Sequence, residues 1–479
     1  MARLVVGGLG ARAATDLNLG ELTQLRPVDW SQTHVVAEYD NNPNWRVDIF
    51  GRDLLFGVDG NFNAGTVTGW REQHDGALVL DISDISVSSA QFAAWIAAGE
   101  SVASAETLLD GNDEIRALDA PISVNGFDGN DSIFGGAGAD SIRGGNNDDW
   151  IFGAGGADTL QGDDGNDMLR GGDGDDLLFG EAGDDIALAA ALRQQAMLSG
   201  DLDNGLTLSS FEGTDTLYRI ETVQFHDGAE YYSPASSAAQ VVRLYASALG
   251  REPDPFGLSD WVEALENGSR SLLDIANGFV GSDEFAARYG NLDNAGFVTL
   301  LYDNVLDRGP DADGFATWTS ELDSGAKSRA EVLLGFSESS ELMERMASTT
   351  DDGIWVADQD ALTVLSYYEV AFDRLPDVAG LANWLSALDT GATREELGQG
   401  FTGSDEFQGR YGALGNQEFV EQLYLNALNR PGDPDGISDW VTGLDSGELS
   451  RADVVAGFAD SAELANLLAP AATDGILYT

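Results

Sequence analysis

Aspartate recurs at every ninth residue through the middle of the chain, and it is set among glycines. Asp131, Asp140, Asp149, Asp158, Asp167, Asp176 and Asp185 occupy the sixth position of repeats that open on Gly126, Gly135, Gly144, Gly153, Gly162, Gly171 and Gly180. Glycine allows backbone angles closed to other residues, so a tight turn can aim several carbonyl oxygens at one point. The aspartate adds a carboxylate. Six or so hard oxygen donors suit calcium far better than zinc or copper. The candidate metal-site residues fall in three columns. Position one has Gly126, Gly135, Gly144, Gly153, Gly162 and Gly171. Position three has Asp128, Ala137, Asn146, Gly155, Asp164 and Asp173. Position six has Asp113, Asp131, Asp140, Asp149, Asp158, Asp167, Asp176 and Asp185.

The same period carries the core. Position eight is a large aliphatic in six repeats running: Ile133, Ile142, Ile151, Leu160, Leu169 and Leu178. Two weaker repeats upstream keep the phase, with Asp113 and Ile115 in the first and Val124 in the second. Three residues after each aspartate make a strand long enough to send one side chain inward, so the aliphatic column is a thin ladder. Such a core does not offset the chain entropy, and stacked aspartates repel, so cations must complete the fold. A flexible Gly/Asp linker is the plain alternative, but low-complexity sequence has no reason to hold an aliphatic column in register over nine repeats.

These residues resemble the RTX family, whose nonapeptide reads GGxGxDxUx with U a large apolar residue. The best copies are Gly135-Gly-Ala-Gly-Ala-Asp-Ser-Ile-Arg143 and Gly171-Gly-Asp-Gly-Asp-Asp-Leu-Leu-Phe179, and the match covers about 108–188 plus a cap to 232. The resemblance implies a right-handed parallel β-roll, two repeats per coil, with calcium ions bridging successive coils on each side. It also implies export in unfolded form through a one-step type I channel, with an uncleaved C-terminal signal. Asn147 replaces the fourth-position glycine, Phe127 and Ala154 sit at position two, and Ala187 stands at position eight of the last repeat. Asparagine tolerates left-handed geometry, so the Asn147 loop is expected to keep its site, whereas the last coil is the weakest candidate.

The remaining chain positions this solenoid. Residues 1–107 read as a small β-rich domain with strands near 33–39, 45–50, 65–71 and 77–82, closed by a helix at 89–98. The roll follows over 108–190. Residues 191–232 lose the repeat but keep a strand-and-turn texture, and are read as a cap on the open end. A linker at 233–238 leads into a helical pattern that occurs four times, paired as 239–355 and 356–479. Each copy carries a tyrosine (Tyr245, Tyr302, Tyr368, Tyr424), an arginine (Arg251, Arg308, Arg374, Arg430), a tryptophan (Trp261, Trp318, Trp384, Trp440) and a phenylalanine (Phe279, Phe336, Phe401, Phe458), which predicts three helices per copy. Ser271, Ser328, Thr393 and Ser450, each followed three residues later by an acid, read as capping boxes. The pattern resembles an uncharacterised domain often found behind RTX repeats. Asp352-Gly-Ile recurs as Asp474-Gly-Ile; the final six residues can thus be read as an export tail or as an ordinary part of that domain.

Composition excludes several classes of activity. With 82 acidic and 24 basic residues among 479, the formal charge is -58, which makes nucleic acid and anionic membranes poor partners. There is no cysteine, hence no disulfide, thiol nucleophile or sulfur-ligated zinc. No apolar run is long enough to span a membrane. The run from Leu4 to Gly10 is too short, and too soon followed by Arg12, for a cleaved signal peptide. His34, His74 and His226 are scattered, and no metalloprotease, nucleophile-elbow or P-loop motif occurs. The turns at Asp311 and Asp433 fit helix caps better than EF-hand loops. Trp30, Trp45, Trp70 and Trp95 are expected in the N-terminal core rather than on a sugar site.

The expectation is therefore a secreted calcium-binding protein that is not an enzyme. It has a structural or adhesive role at the bacterial surface or matrix, and its partners are calcium, other copies of itself or surface glycans. The alternative is a secreted calcium-dependent enzyme acting on polysaccharide, with Asp48, Asp53 and Asp59 as first suspects.

Overall fold

A computed structural model describes residues 3–6, 25–30, 34–39, 42–56, 62–74, 77–88, 109, 111–117, 121–201 and 204–479. They form two compact bodies, the first comprising 1–191 with 195–224 and the second 192–194 with 225–479.

The first body opens with strands β1 (Arg3–Val6), β2 (Leu25–Trp30), β3 (His34–Tyr39), β4 (Asn42–Phe56), β5 (Phe62–His74) and β6 (Ala77–Ser88). Strands β2 to β6 form an antiparallel meander with Val47, Ile49 and Val67 buried. The four expected strands are present, all but the first longer than the pattern suggested. The expected helix at 89–98 and Trp95 lie outside the described residues.

The roll follows as β7 (Glu114–Ala117), β8 (Ser123–Asp128), β9 (Ser132–Phe134), β10 (Ser141–Asn146), β11 (Trp150–Gly155), β12 (Thr159–Asp164), β13 (Met168–Asp173), β14 (Leu177–Ala182) and β15 (Ile186–Leu188). Odd strands pair in parallel with odd, and even with even. Ile142 lies opposite both Val124 and Leu160, and Ile151 opposite both Ile133 and Leu169. Each coil is therefore two repeats, 18 residues, as the resemblance implied. The position-eight ladder is buried throughout, from Ile115 to Leu178, and Ala187 continues it. Strand β1 joins the two parts, pairing antiparallel with β6 and parallel with β7, so one sheet runs from the meander into the roll.

The repeat does not stop at 188. Strands β16 (Met197–Asp201) and β17 (Gly205–Ser209) form a hairpin, after which β18 (Thr214–Tyr218) pairs in parallel with β14, and β19 (Thr222–Phe225) with β15. Leu217 and Val223 fill the core positions of one further coil. Within the expected cap, β18 and β19 thus add one coil shifted out of phase by the hairpin, and β17 pairs antiparallel with β18 at the edge of that sheet.

The second body is mostly helical. Its first copy runs α1 (Ser237–Leu249), α2 (Pro255–Glu266), α3 (Leu272–Val280) and α4 (Asp283–Tyr289). The other copies repeat these four helices, not the expected three, and the second adds a short fifth, Ala347–Asp351. The fourth helix starts after a serine cap in every copy; at Ser282-Asp-Glu-Phe285 the Ser282 side chain accepts the Phe285 N–H at 3.1 Å. The first helix begins at Ser237 with Ser236 as its cap, which shortens the expected linker. All four expected capping boxes are present. Asp311 and Asp433 each cap a helix through the N–H of Gly314 and Gly436. Within each copy the arginine guanidinium lies over the tyrosine ring and pairs with a glutamate of the fourth helix; Arg374 sits 5.0 Å from the Tyr368 ring and 3.0 Å from Glu406. The phenylalanine packs against both the tyrosine and the tryptophan, as Phe401 does with Tyr368 and Trp384. These repeated residues are core and scaffold. The two Asp-Gly-Ile segments are packed as well: Ile354 opens strand β20, Ile354–Ala357 in sequence pairing with Gly228–Tyr231, while the buried Ile476 donates its N–H to Asp227 at 3.1 Å.

Candidate metal centre

The position-six aspartates form two columns, one along each side of the roll. On one side Asp113, Asp131, Asp149, Asp167 and Asp185 stack at 18-residue intervals; on the other stand Asp140, Asp158 and Asp176. From Asp131 onward, Oδ1 of each accepts the backbone N–H of the position-six residue one coil earlier. The Asp131, Asp149, Asp167 and Asp185 carboxylates take the N–H of Asp113, Asp131, Asp149 and Asp167 at 2.7–2.8 Å. The Asp140, Asp158 and Asp176 carboxylates take those of Ile122, Asp140 and Asp158 at the same distances. One oxygen of each aspartate thus ties coil to coil.

The other oxygen is the informative one. Oδ2 of Asp131, Asp149, Asp158, Asp167, Asp176 and Asp185 is buried and has no hydrogen-bond partner among the described residues. A buried carboxylate oxygen left this way carries its full desolvation cost. Burial accordingly pushes these acids up, helped by the neighbouring carboxylates: Asp131 and Asp185 to about 7, Asp149 to about 8, Asp158 and Asp167 to about 6. Asp176 moves in the same direction for the same reason.

Position one shows why glycine is needed beside this oxygen. A Cβ on Gly126 would collide with Oδ2 of Asp131 and approach the Gly144 carbonyl oxygen of the next coil. Gly153 stands in the same relation to Asp158 and the Gly171 carbonyl. The bare carboxylate oxygen and a carbonyl oxygen of the adjacent coil therefore converge where the glycine leaves room. The position-three carbonyls of Asn146, Asp164 and Asp173 accept N–H groups from Gly129, Asn147 and Gly156 one coil back, at 2.6–3.0 Å, each keeping a second lone pair. The side chains of Asp128, Asn146, Asp164 and Asp173 are exposed. Among the described residues no three acidic or histidine side chains cluster closely enough to hold a metal by themselves, so backbone carbonyls must supply most of any ligand set. Hard oxygen donors around an unsatisfied carboxylate oxygen fit calcium.

The loops are not all alike. Phe127, Ala154, Asp163 and Glu181 at position two, and Asn147 at position four, hold φ between +74° and +80°, the left-handed geometry their glycine counterparts adopt. Asn147 keeps the loop shape, as its chemistry predicted. The loop from Gly135 to Asp140 differs. Neither Gly136 nor Gly138 is left-handed, Ile122 stands where the preceding coil would place its aspartate, and Oδ2 of Asp140 accepts the Gly136 N–H at 2.8 Å. Gly135, Ala137 and Asp140 thus lack the unsatisfied oxygen that marks the other loops.

Several contributing residues escape the nonapeptide pattern. Asp215 accepts the Asp176 N–H at 3.1 Å, and Glu221 accepts that of Asp185 at 2.8 Å, so each side chain extends one column into the final coil. Burial raises Asp215 to about 7. Position five forms a second ladder, in which Asn112, Asp148, Asn166 and Asp175 accept the N–H of Asn130, Asn166, Asp184 and Thr214. The signal for Asp215 is Gly213-Thr-Asp-Thr-Leu217, a partial repeat three residues out of phase. Of the suspected N-terminal acids, Asp48 is buried and paired with Arg46 at 2.7 Å, Asp53 lies in the same strand, and Asp59 falls outside the described residues.

The family described as RTX calcium-binding nonapeptide repeat (4 copies) matches residues 125–160 and 152–187. The roll is built of RTX repeats. Behind it the family described as Domain of unknown function (DUF4214) matches 226–280, 276–346, 359–411 and 398–468, the four helical copies. No curated protein matches the chain. Among solved structures, the extracellular lipase LipA from Serratia marcescens shares 23% identity over 22% of this chain and 17% of that one, with a TM-score of 0.15. The RTX repeats point to a secreted calcium-binding protein, and no helix among the described residues is long and apolar enough to cross a membrane.

Proposed function

We propose that this RTX protein is a calcium-locked structural or adhesive component of the bacterial surface or extracellular matrix. Its roll folds on calcium after type I export and joins the N-terminal sheet to four helical interaction units. The supporting observation is the set of six buried aspartate oxygens without partners. In the proposed sites Oδ2 of Asp131, Asp149, Asp158, Asp167, Asp176 and Asp185 meets calcium together with position-one carbonyls, such as that of Gly144, and position-three carbonyls, such as those of Asn146, Asp164 and Asp173. Each ion then joins successive coils. Calcium supplies the positive charge that the columns otherwise lack.

The loop at Asp140 is assigned no ion, because its carboxylate is already satisfied within the protein. A structural or adhesive role is favoured over catalysis because the repeated aromatic and charged residues of the helical copies are consumed in packing, and Asp48 is consumed in an ion pair.

The test is molar mass and hydrodynamic radius by light scattering coupled to size exclusion, in chelator and in millimolar calcium. Compaction on adding calcium, followed by growth to large assemblies, is expected for a surface or matrix protein. A chain that remains a compact monomer in calcium argues against assembly, and one whose radius ignores calcium refutes the reading.

A further inference from the structure

The outward positions of a solenoid strand are free of packing constraints, so soluble coils fill them with polar residues. One sheet of the roll obeys this in its first coils, presenting Ser123, Asn125, Ser141, Arg143, Thr159 and Gln161. The opposite sheet does not. Its neighbouring strands β9, β11 and β13 present Phe134, Trp150, Phe152 and Met168, with Trp150 47% and Met168 37% exposed. Phe134 and Trp150 meet edge to face at 5.6 Å. Arg116 lies over Phe134 at 4.0 Å and Arg170 over Phe152 at 4.9 Å, one arginine at each end of the aromatic row.

Charge and size narrow what covers this face. Arg116 pairs with Glu114 at 2.6 Å and Arg170 with Glu212 at 2.9 Å, so the platform is neutral within a chain of formal charge -58. An anionic polymer or membrane is repelled by the surroundings, and a cationic partner finds no net charge here to hold it. From strand spacing and rise, the platform across four strands measures about 200 Å². A stable protein interface needs about 800 Å² per partner, so a second copy has too little to hold. A neutral polysaccharide fits each term. Its sugar rings carry apolar C–H faces that lie against the electron-rich faces of aromatic rings, and its hydroxyls meet the guanidinium and carboxylate groups at the two ends.

We infer that the face formed by Phe134, Trp150, Phe152 and Met168 is a binding platform for neutral polysaccharide chains. It rests on the calcium reading in one respect: the four side chains come from three coils, which calcium holds in register.

The test is affinity electrophoresis of the full-length protein in calcium-containing gels cast with soluble neutral β-glucan, galactomannan or xyloglucan, repeated in chelator. Retardation by at least one polysaccharide in calcium is expected, with loss of at least tenfold in apparent affinity for the double variant Trp150→Ala, Met168→Ser. Leu177→Ser, a similarly exposed residue on the other sheet, retains it. Hydrogen–deuterium exchange over residues 125–187 verifies that the variants still form the roll. Absence of retardation with all three polysaccharides overturns the inference, as does equal retardation of the double variant. Calcium-dependent sedimentation with phosphatidylcholine vesicles in place of glycan also overturns it, as does a dimer mass that Trp150→Ala returns to monomer. If the wild-type coils show no calcium-dependent protection, the calcium reading fails by itself, and the retardation still judges the platform.

Discussion

Removing calcium at two different pH values isolates the cost of the aspartate columns. Six buried acids, Asp131, Asp149, Asp158, Asp167, Asp185 and Asp215, have values pushed up to between about 6 and about 8 from the usual 3.8. Each therefore binds its proton more tightly folded than unfolded. Between about pH 4 and the raised value the folded roll holds more protons than the unfolded chain, so its stability falls as pH rises through that window. At about 1.4 kcal/mol per pH unit, the six shifts together cost on the order of 20 kcal/mol at pH 8. Even halved for water reaching the loops, this matches the 5–15 kcal/mol by which a whole domain is typically stable. In chelator at pH 8 the roll is therefore expected to be unfolded, and at pH 5 to recover much of its order with no metal present. Calcium at pH 8 restores it completely, because the cation replaces the protons. Hydrogen–deuterium exchange over residues 125–187, corrected for the intrinsic pH dependence, reads this directly. Equal protection at pH 8 with and without calcium would refute the argument, as would protection in chelator that rises with pH.

Five substitutions extend the test. Asp149→Asn removes both the burial cost and the ligand, so it is expected to raise stability in chelator at pH 8 while weakening calcium binding in isothermal titration; Asp140→Asn leaves calcium stoichiometry unchanged. Ala154→Gly relieves a left-handed residue with φ of +80° and is expected to stabilise the calcium-loaded roll by about 1 kcal/mol in denaturant titration. Gly126→Ala drives a methyl group into the Asp131 carboxylate and is expected to shift the calcium midpoint upward in a calcium titration. In the helical body, Arg374→Lys keeps the charge but loses the two-pronged contact with Glu406 and the contact with the Tyr368 ring, a loss of about 1 kcal/mol in the helical melt followed by circular dichroism.

The legible parts of this fold are those where one residue type does one job at a fixed period. The Asp131 to Asp185 series and the Ile133 to Leu178 ladder are visible in sequence because each coil reuses the same chemistry. The four capping boxes are visible because hydroxyl and carboxylate must stand three residues apart. The final coil was hidden because its hairpin insertion shifts Asp215 out of phase and because Glu221 does an aspartate's work. The fourth helix of each copy, seven residues in Asp283–Tyr289, is too short to display a period. The Asp140 loop looks ideal in sequence, since its deviation lies in a partner one coil away, where Ile122 interrupts the column.

The pairing of β1 with both the meander and the first coil gives the roll a direction of growth. A solenoid coil buries its ladder only against a neighbour, so the first is the most costly to form and each later one closes a loop of just 18 residues. The β1 edge offers the first coil a wall to pair with, so winding is expected to start there and to run toward Asp185 as a zipper anchored at one end.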